Sequence, residues 1–491
     1  MDDVQEDLVR VCNCRVHAEC LHPGRRQLIS GDEIRRLVLA GTTPVELAQV
    51  VTARVDRLQG TTLGVQSIAS KDVRVKLTPD LRARHVYIVG KSGFGKTTLI
   101  INSIYQDLEA GNGLGVIGPE QEMFHDEILP LIPDHRLDDV IYVNPADTEN
   151  PVPFNPLHLD PGEDLDLKAD ETLTIFKRMF NDVHAGPRME TILRQMLYTL
   201  MQIPNTTLLD AEKLLDPQNS SYRQWAVEQI SDPTAEHFWL HTYPQYPRDA
   251  HLPIINRLGK FLRPKVIRNM VCANHSLNIR QAMDERKVLL FNLSDGILGD
   301  TNSQLLGQLL VAKIQLAAMS RADISKDDRT PFYLYLDEFP AFCGVADTSY
   351  EKILSRARKY GLGLVLAHQQ TGQISTDLMR EILGNVSTLI SFFVSASDAR
   401  RIAREMVTEV SGQMVELEPQ QLLSLRIGQA FAKIERSVLY MKTLPPLRQG
   451  TAATRERVIE RSRHSFGLGQ THRSRNTDAT RIPHIDPGKV F

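Results

Sequence analysis

The chain has 491 residues, a formal net charge of −3, and 42% hydrophobic and 24% charged residues. That length accommodates about three domains and a sizeable core, and the composition excludes a disordered, fibrous or disulfide-stapled chain. The near-neutral charge excludes a global pull towards nucleic acid, so any such contact has to come from a local basic surface.

The opening "MDDVQEDLVR" is acidic and has no signal-peptide n-region. Cys12, Cys14 and Cys20 crowd together with His17 and His22 in "CNCRVHAECLH". These residue types suit zinc, but the spacing is not that of a finger and no second half-site follows; packing of a small N-terminal region stands beside a metal site as a reading. An odd number of cysteines, five in all, suits a reducing cytoplasm. Residues 1–60 are expected to form a small helical region, with helices over 31–39 and 44–58.

An alternating stretch, "LGVQSIASKDVRVKLTP", reads as one or two strands leading into "YIVGKSGFGKTTLI". There, Gly90, Gly95, Lys96 and Thr97 satisfy G-x-x-x-x-G-K-[ST], with an apolar run over 85–89 before them and a helical pattern over 97–108 after. The expected nucleotide-binding residues are Gly90, Lys91, Ser92, Gly93, Phe94, Gly95, Lys96, Thr97 and Thr98. Glycines let the loop turn its N–H groups inward onto the phosphates of ATP, and the helix start adds positive dipole. Lys96 is expected to reach the β- and γ-phosphates and the Thr97 hydroxyl to ligate Mg²⁺.

Short apolar strands follow at 114–117 and 140–143. After "NPVPFNPLHL" the strand signal fades, and helical patterns dominate 161–282, as over 173–181 and 189–202. The α/β rhythm resumes with strands at 287–293, 332–336, 364–367, 388–394 and 428–440 and a helix over 303–320. The most apolar stretch, 305–319, contains Gln308, Lys313 and Gln315, so it reads as an amphipathic helix and not a membrane span. The fold class expected is α/β: a P-loop NTPase with a parallel sheet core split by an all-helical insertion. The core segments are 61–160 and 286–444, the insertion 161–285, and 445–491 a basic tail expected to be mostly poorly ordered.

The strand in "PFYLYLDEFPAF" is continuously apolar and ends in Asp337 and Glu338. Carboxylates at the carboxyl end of a parallel strand sit where such sheets bind ligands. Asp337 fits the Mg²⁺ role and Glu338 activation of the attacking water. Gln369, just past the next strand, is placed to contact the γ-phosphate. In "NRLGKFLRPKVIRN", Arg257, Lys260, Arg263, Lys265 and Arg268 share helical spacings that Pro264 interrupts; a phosphate-binding face and a solvated basic face both remain open.

In their order, "YIVGKSGFGKTTLI", "VPFNPLHL", "KVLLFNLSDGILGD", "FYLYLDEFPAF", "SRARKYGLGLVLAHQQ" and "LGNVSTLISFFVSASDARRIA" resemble the FtsK/HerA-type DNA-pumping ATPases with a RecA/FtsK-like core, and within them the TraG-like coupling proteins of conjugation and type IV secretion. The resemblance implies a homo-hexameric ring with ATP sites between subunits, DNA moving through the channel, and the helical insertion at the channel mouth. It also implies a relaxase, secretion-channel component or nuclease as partner, and a cytoplasmic location, peripheral at a membrane secretion complex. An arginine supplied across the subunit interface is expected; Arg356 and Arg358 come first, since "ARKYGLGLVLAHQ" resembles the "R-A-x-G" lead-in of FtsK-type motors, and Arg400 second. Two features depart from the pattern. "IGPEQEMF" replaces an acidic segment, leaving Glu120 or Glu122 as substitutes, and the N-terminal transmembrane helices of anchored coupling proteins have no counterpart. A secretion or pilus-assembly ATPase acting on protein, a HerA-like translocase working with a nuclease, and a nucleotide-bound scaffold are the alternatives.

Overall fold

The computed structural model describes residues 46, 49, 52, 53, 55–68, 71–160, 162–179, 186–230, 232–343, 353–410, 413–447 and 450–467. The cysteine-rich segment 12–22, the helix expected over 31–39, seven residues of 44–58 and the end of the tail lie outside them; the described residues 46, 49, 52, 53, 55 and 56 are helical. The chain divides into two compact units.

The first unit comprises Met1–Asp139, Gln281–Leu289 and Arg321–Arg455. Its main sheet contains β1 (Thr61–Ile68), β2 (Lys71–Leu77), β3 (Val86–Val89), β4 (Gly113–Gly118), β7 (Phe332–Leu336), β8 (Leu362–His368), β9 (Thr388–Ser391), β12 (Gln429–Ile434) and β13 (Ser437–Thr443), in the order β2-β1-β13-β12-β9-β3-β8-β7-β4. A separate antiparallel pair joins β10 (Val407–Val410) to β11 (Gln413–Glu416). The segment β9-β3-β8-β7-β4 is parallel throughout. Its strands are buried along their whole length, which is why they read as unbroken apolar runs. The other flank is antiparallel: β12 pairs with β9 and β13, and β1 with β13 and β2. The stretch 428–440, expected as one more strand of the parallel rhythm, is therefore a hairpin. Its alternating burial marks a sheet with one covered face.

β3 begins at Val86 because His85 turns into the left-handed region, φ 63°. Its Nδ1 accepts from Leu364 N at 3.0 Å, so Nε2 carries the proton and donates to Leu354 O, also at 3.0 Å. Burial lowers the imidazole to about 4, which keeps it neutral and fixes β3 against β8.

Arg82 and Asp107 are 4% and 1% exposed and joined by a fork of 2.5 and 2.7 Å. The Tyr335 hydroxyl donates to Asp107 Oδ2 at 2.6 Å, tying the end of the helix Lys96–Glu109 to β7. Asp107→Ala leaves the Arg82 guanidinium buried without its carboxylate, and an expected loss of about 3–5 kcal/mol follows. Denaturant unfolding checks this, and a loss below about 1 kcal/mol would show that water relieves the charge.

The second unit comprises Val140–Arg280, Leu290–Ser320 and Glu456–Phe491. It holds β5 (Val140–Val143) and the greater part of β6 (Val288–Asn292), both buried throughout. From Leu165 to Asp284 the regular elements are all helical. Trp239 and Met196 are completely buried there, and the Trp239 indole donates to Thr199 Oγ1 at 2.8 Å. The helix Asp300–Ser320 is not amphipathic: it is buried nearly all round. Lys313 and Gln315 are interior residues, 4% and 3% exposed; the Lys313 ammonium pairs with Asp160 at 3.2 Å, and the Gln315 NH₂ donates to Glu171 Oε1 at 3.1 Å. Part of the tail is ordered. A helix spans Ala452–Phe466, because Val458 and Ser462, one turn apart, turn to the interior, where Ser462 Oγ accepts from Tyr142 N at 2.8 Å.

No helix among the described residues is long and apolar enough to cross a membrane.

Candidate active site

The loop between β3 and the helix Lys96–Glu109 lies at the carboxyl end of the parallel strands. Gly93 and Gly95 adopt φ of +80° and +112°, where a Cβ is strained. Gly95 caps the helix in the left-handed conformation with no side-chain bond, and Leu99 N is the first to bond back, to Gly95 O at 3.0 Å. The N–H groups of Lys96, Thr97 and Thr98 ahead of it have no intrahelical acceptor, and a helix start of this kind is suited to anionic oxygens. On one flank Gly90 N donates to His368 O (3.3 Å); on the other, Lys91 N donates to Phe393 O (2.8 Å) and Phe94 O accepts from Gly428 N (3.0 Å).

β8 lies between β3 and β7 in the sheet. The carboxylates ending β7 therefore face the loop across the end of β8, where Gln369 sits. Lys96 is 5% exposed; burial lowers its pKa, opposed by the charges of Glu338, Asp337 and Glu120. Asp337, 4% exposed, is pushed up to about 7 by burial and by Glu338, with Lys96 pulling the other way. Burial also raises Glu338, countered by hydrogen bonds from Gln369 and Gln373 and by the Lys96 charge. Glu338 sits in the left-handed region, φ 48° and ψ 45°, a conformation costing on the order of 1 kcal/mol for a non-glycine residue. Its N–H donates to Asp337 Oδ1 at 3.1 Å, and Asp337 N donates to Ile117 O at 3.1 Å, anchoring the strand end to β4.

Lys96, Asp337, Glu338 and Gln369 thus come together, and Glu120, not Glu122, is the acid that adds to their field. Thr97 and Thr98 open the helix beside them. Gln373 escaped the sequence reading. Its Oε1 accepts from Gln370 N at 3.0 Å, which leaves its NH₂ for Glu338; only the capping signature "QTGQ" hinted at it. Arg358 does not join the site. It lies just before β8, at the end opposite His368, is 54% exposed, and approaches Asp80 at 3.9 Å. Arg356 and Arg400 are exposed as well.

The site fits a magnesium nucleotide. Asp337 and Glu338 are carboxylates gathered with Thr97 at the loop, their donors are hard oxygens, and the cradle offers N–H groups. Among the described residues no group of three or more His, Cys, Asp or Glu holds a metal unaided, so nucleotide oxygens would complete the shell around Thr97 and Asp337.

Loop, helix, strand-end carboxylates and the strand between them make up a P-loop NTPase fold. Residues 331–431 match the family described as the TraM recognition site of TraD and TraG. The fold is similar to the bacterial conjugative coupling protein TrwB lacking its first 70 residues, at 14% identity over 82% of this chain and 92% of that one, TM-score 0.56. TrwB with a non-hydrolysable ATP analogue gives 15%, 81%, 92% and 0.55. VirB4 of Thermoanaerobacter pseudethanolicus gives 14%, 79%, 96% and 0.52. At these identities the likeness is one of fold. No curated protein matches the sequence.

Proposed function

We propose that the protein is an ATP-hydrolysing, coupling-protein-like ring motor that moves DNA in conjugation or type IV secretion. The observation that carries the reading is the convergence of Lys96, Asp337, Glu338 and Gln369 on one open phosphate loop. Lys96 and the loop N–H groups hold the β- and γ-phosphates in place. Glu338, steadied by Gln369 and Gln373, accepts the proton of the attacking water. Mg²⁺, when bound by Thr97, Asp337 and the nucleotide, neutralises charge on the phosphate oxygens. Gln369, bonded to Glu338, is placed to register loss of the γ-phosphate.

Arg358 is proposed to act on the neighbouring subunit's nucleotide. Seven strand residues separate it from its own loop, about 20 Å at strand rise, so it does not serve its own site. The insertion, 161–285, is proposed as the module that receives the DNA-processing partner, and the match over 331–431 supports recognition of a TraM-like relaxosome protein. We place the motor in the cytoplasm, at the base of a membrane secretion complex.

The test is steady-state ATPase activity with and without single- and double-stranded DNA. Stimulation by DNA supports the motor; turnover indifferent to DNA but stimulated by a secreted protein favours the protein-moving alternative, and no turnover removes both. Within the insertion, Lys260, Arg263, Lys265 and Arg268 are exposed around Pro264, which ends one helix and starts the next. Reversing charge at Arg263 and Lys265 is expected to weaken DNA binding. The slope of log K against log salt should fall by about 0.7–0.9 for each phosphate no longer neutralised. An unchanged slope in a fluorescence titration assigns these residues to a solvated face.

A further inference from the structure

The phosphate loop accounts for the anionic end of a nucleotide and leaves the base without a seat. On the flank away from Asp337, the loop carries an aromatic pair and adjoins the segment that holds Ile427. Phe94, within the loop, stacks on Phe393 with ring centroids 4.5 Å apart and planes 21° from parallel. Both rings are half-buried. Ile427 is 75% exposed, the most exposed of the large hydrophobic residues described. It immediately precedes Gly428, whose N–H holds Phe94 O at 3.0 Å, while Phe393 O holds Lys91 N at 2.8 Å. Phe94 is part of the loop, Phe393 is bonded to it through its own carbonyl, and Ile427 is tethered beside it through its neighbour Gly428; the three come from separate segments of the chain. Lys91 adds its ammonium 5.0 Å over the Phe393 ring.

We propose that Phe94, Phe393 and Ile427 form the platform on which the nucleobase of the bound nucleotide rests, with the aromatic pair supplying a stacking face and Ile427 an apolar edge. The inference rests on the nucleotide-hydrolase reading of the same loop. Three features of the surface fit a base. It is flat on the aromatic side, apolar where a heterocycle is poorly hydrated, and contiguous with the phosphate cradle. A solvent-exposed isoleucine and a half-open aromatic stack gain nothing from water, and a π-face placed there removes both from it. Stacking of this kind depends on the π-face and little on base identity.

Calorimetric titration of the full chain with ATP and, separately, with inorganic tripolyphosphate, both with Mg²⁺, tests the platform. Ile427→Asn changes an exposed position without adding charge, and Phe393→Leu keeps an apolar side chain while losing the ring. Each is expected to weaken ATP about tenfold, within the range for losing one base–side-chain stack, and to leave tripolyphosphate within about twofold. Equal losses for both ligands would mean that the variants damage the loop, and no loss for either would mean that the surface serves another role; either result overturns the platform. Wild-type protein that binds neither ligand would remove the nucleotide reading, and the platform with it.

Discussion

Glu338→Gln is expected to bind ATP with nearly unchanged affinity and to hydrolyse it about 10²–10⁴-fold more slowly, the range for loss of a general base. The substitution keeps the shape of the side chain and one oxygen that can accept from Gln369 or Gln373. It removes the carboxylate that can take a proton from water while held against Lys96. Affinity is retained because the phosphates are held by the loop and Lys96. Removing one negative charge from the group formed by Asp337, Glu338 and Glu120 also relieves repulsion of the nucleotide. Single-turnover hydrolysis alongside equilibrium binding of a fluorescent ATP analogue separates the two effects. Normal turnover in E338Q would transfer the role to Glu120, the remaining acid in the field, and the double variant would then lose activity.

Arg358→Ala is expected to lower turnover by about 10³–10⁵-fold, the range for an arginine finger, although the residue lies at the far end of β8 from its own phosphate loop. Such a cation stabilises charge developing on the transferred phosphoryl group only when the adjacent subunit is correctly seated, so hydrolysis is coupled to the neighbour's position. Its one ionic neighbour among the described residues is Asp80, at 3.9 Å and 64% exposed; an exposed pair of that kind contributes little and is easily exchanged for phosphate. Lys96→Ala subunits, lacking the phosphate-binding ammonium, are expected to be inactive as well. Mixing the two inactive proteins creates interfaces that join an intact loop to an intact arginine, and partial ATPase activity returns. No recovery, with subunit exchange confirmed by fluorescence energy transfer, would leave Arg358 as a surface residue and pass the role to Arg356 or Arg400.

The residues that gather at the phosphate loop were legible because each belongs to a local pattern. The phosphate loop is a short run of consecutive residues whose glycines and lysine act within one turn of chain. Asp337 and Glu338 announce themselves by ending an apolar run, since a strand buried on both faces can carry acids only at its end. Gln369 follows by the same reasoning from β8. These features need no knowledge of what lies beside them, and so they survive in a linear reading.

What the tertiary structure decided is everything that depends on neighbours distant in sequence. A buried strand carries no mark of its partners, so the placement of β8 between β3 and β7, and the switch to antiparallel pairing at β9 and β12, had to come from the folded sheet. The helix Asp300–Ser320 looked amphipathic because Lys313 and Gln315 are polar. Asp160 and Glu171, far earlier in the chain, pair with the Lys313 ammonium and the Gln315 NH₂ and so offset their burial, and periodicity cannot register a partner. The Ala452–Phe466 helix likewise lies in a tail whose Arg-rich composition suggested little order, yet Val458 and Ser462 find an interior surface there. Glu120 was separated from Glu122 in the same way, by the field it exerts on Lys96 and not by its spacing. Local sequence determines which groups are present and which backbone turns they occupy; burial and charge, which set what those groups do, are sums over the whole fold.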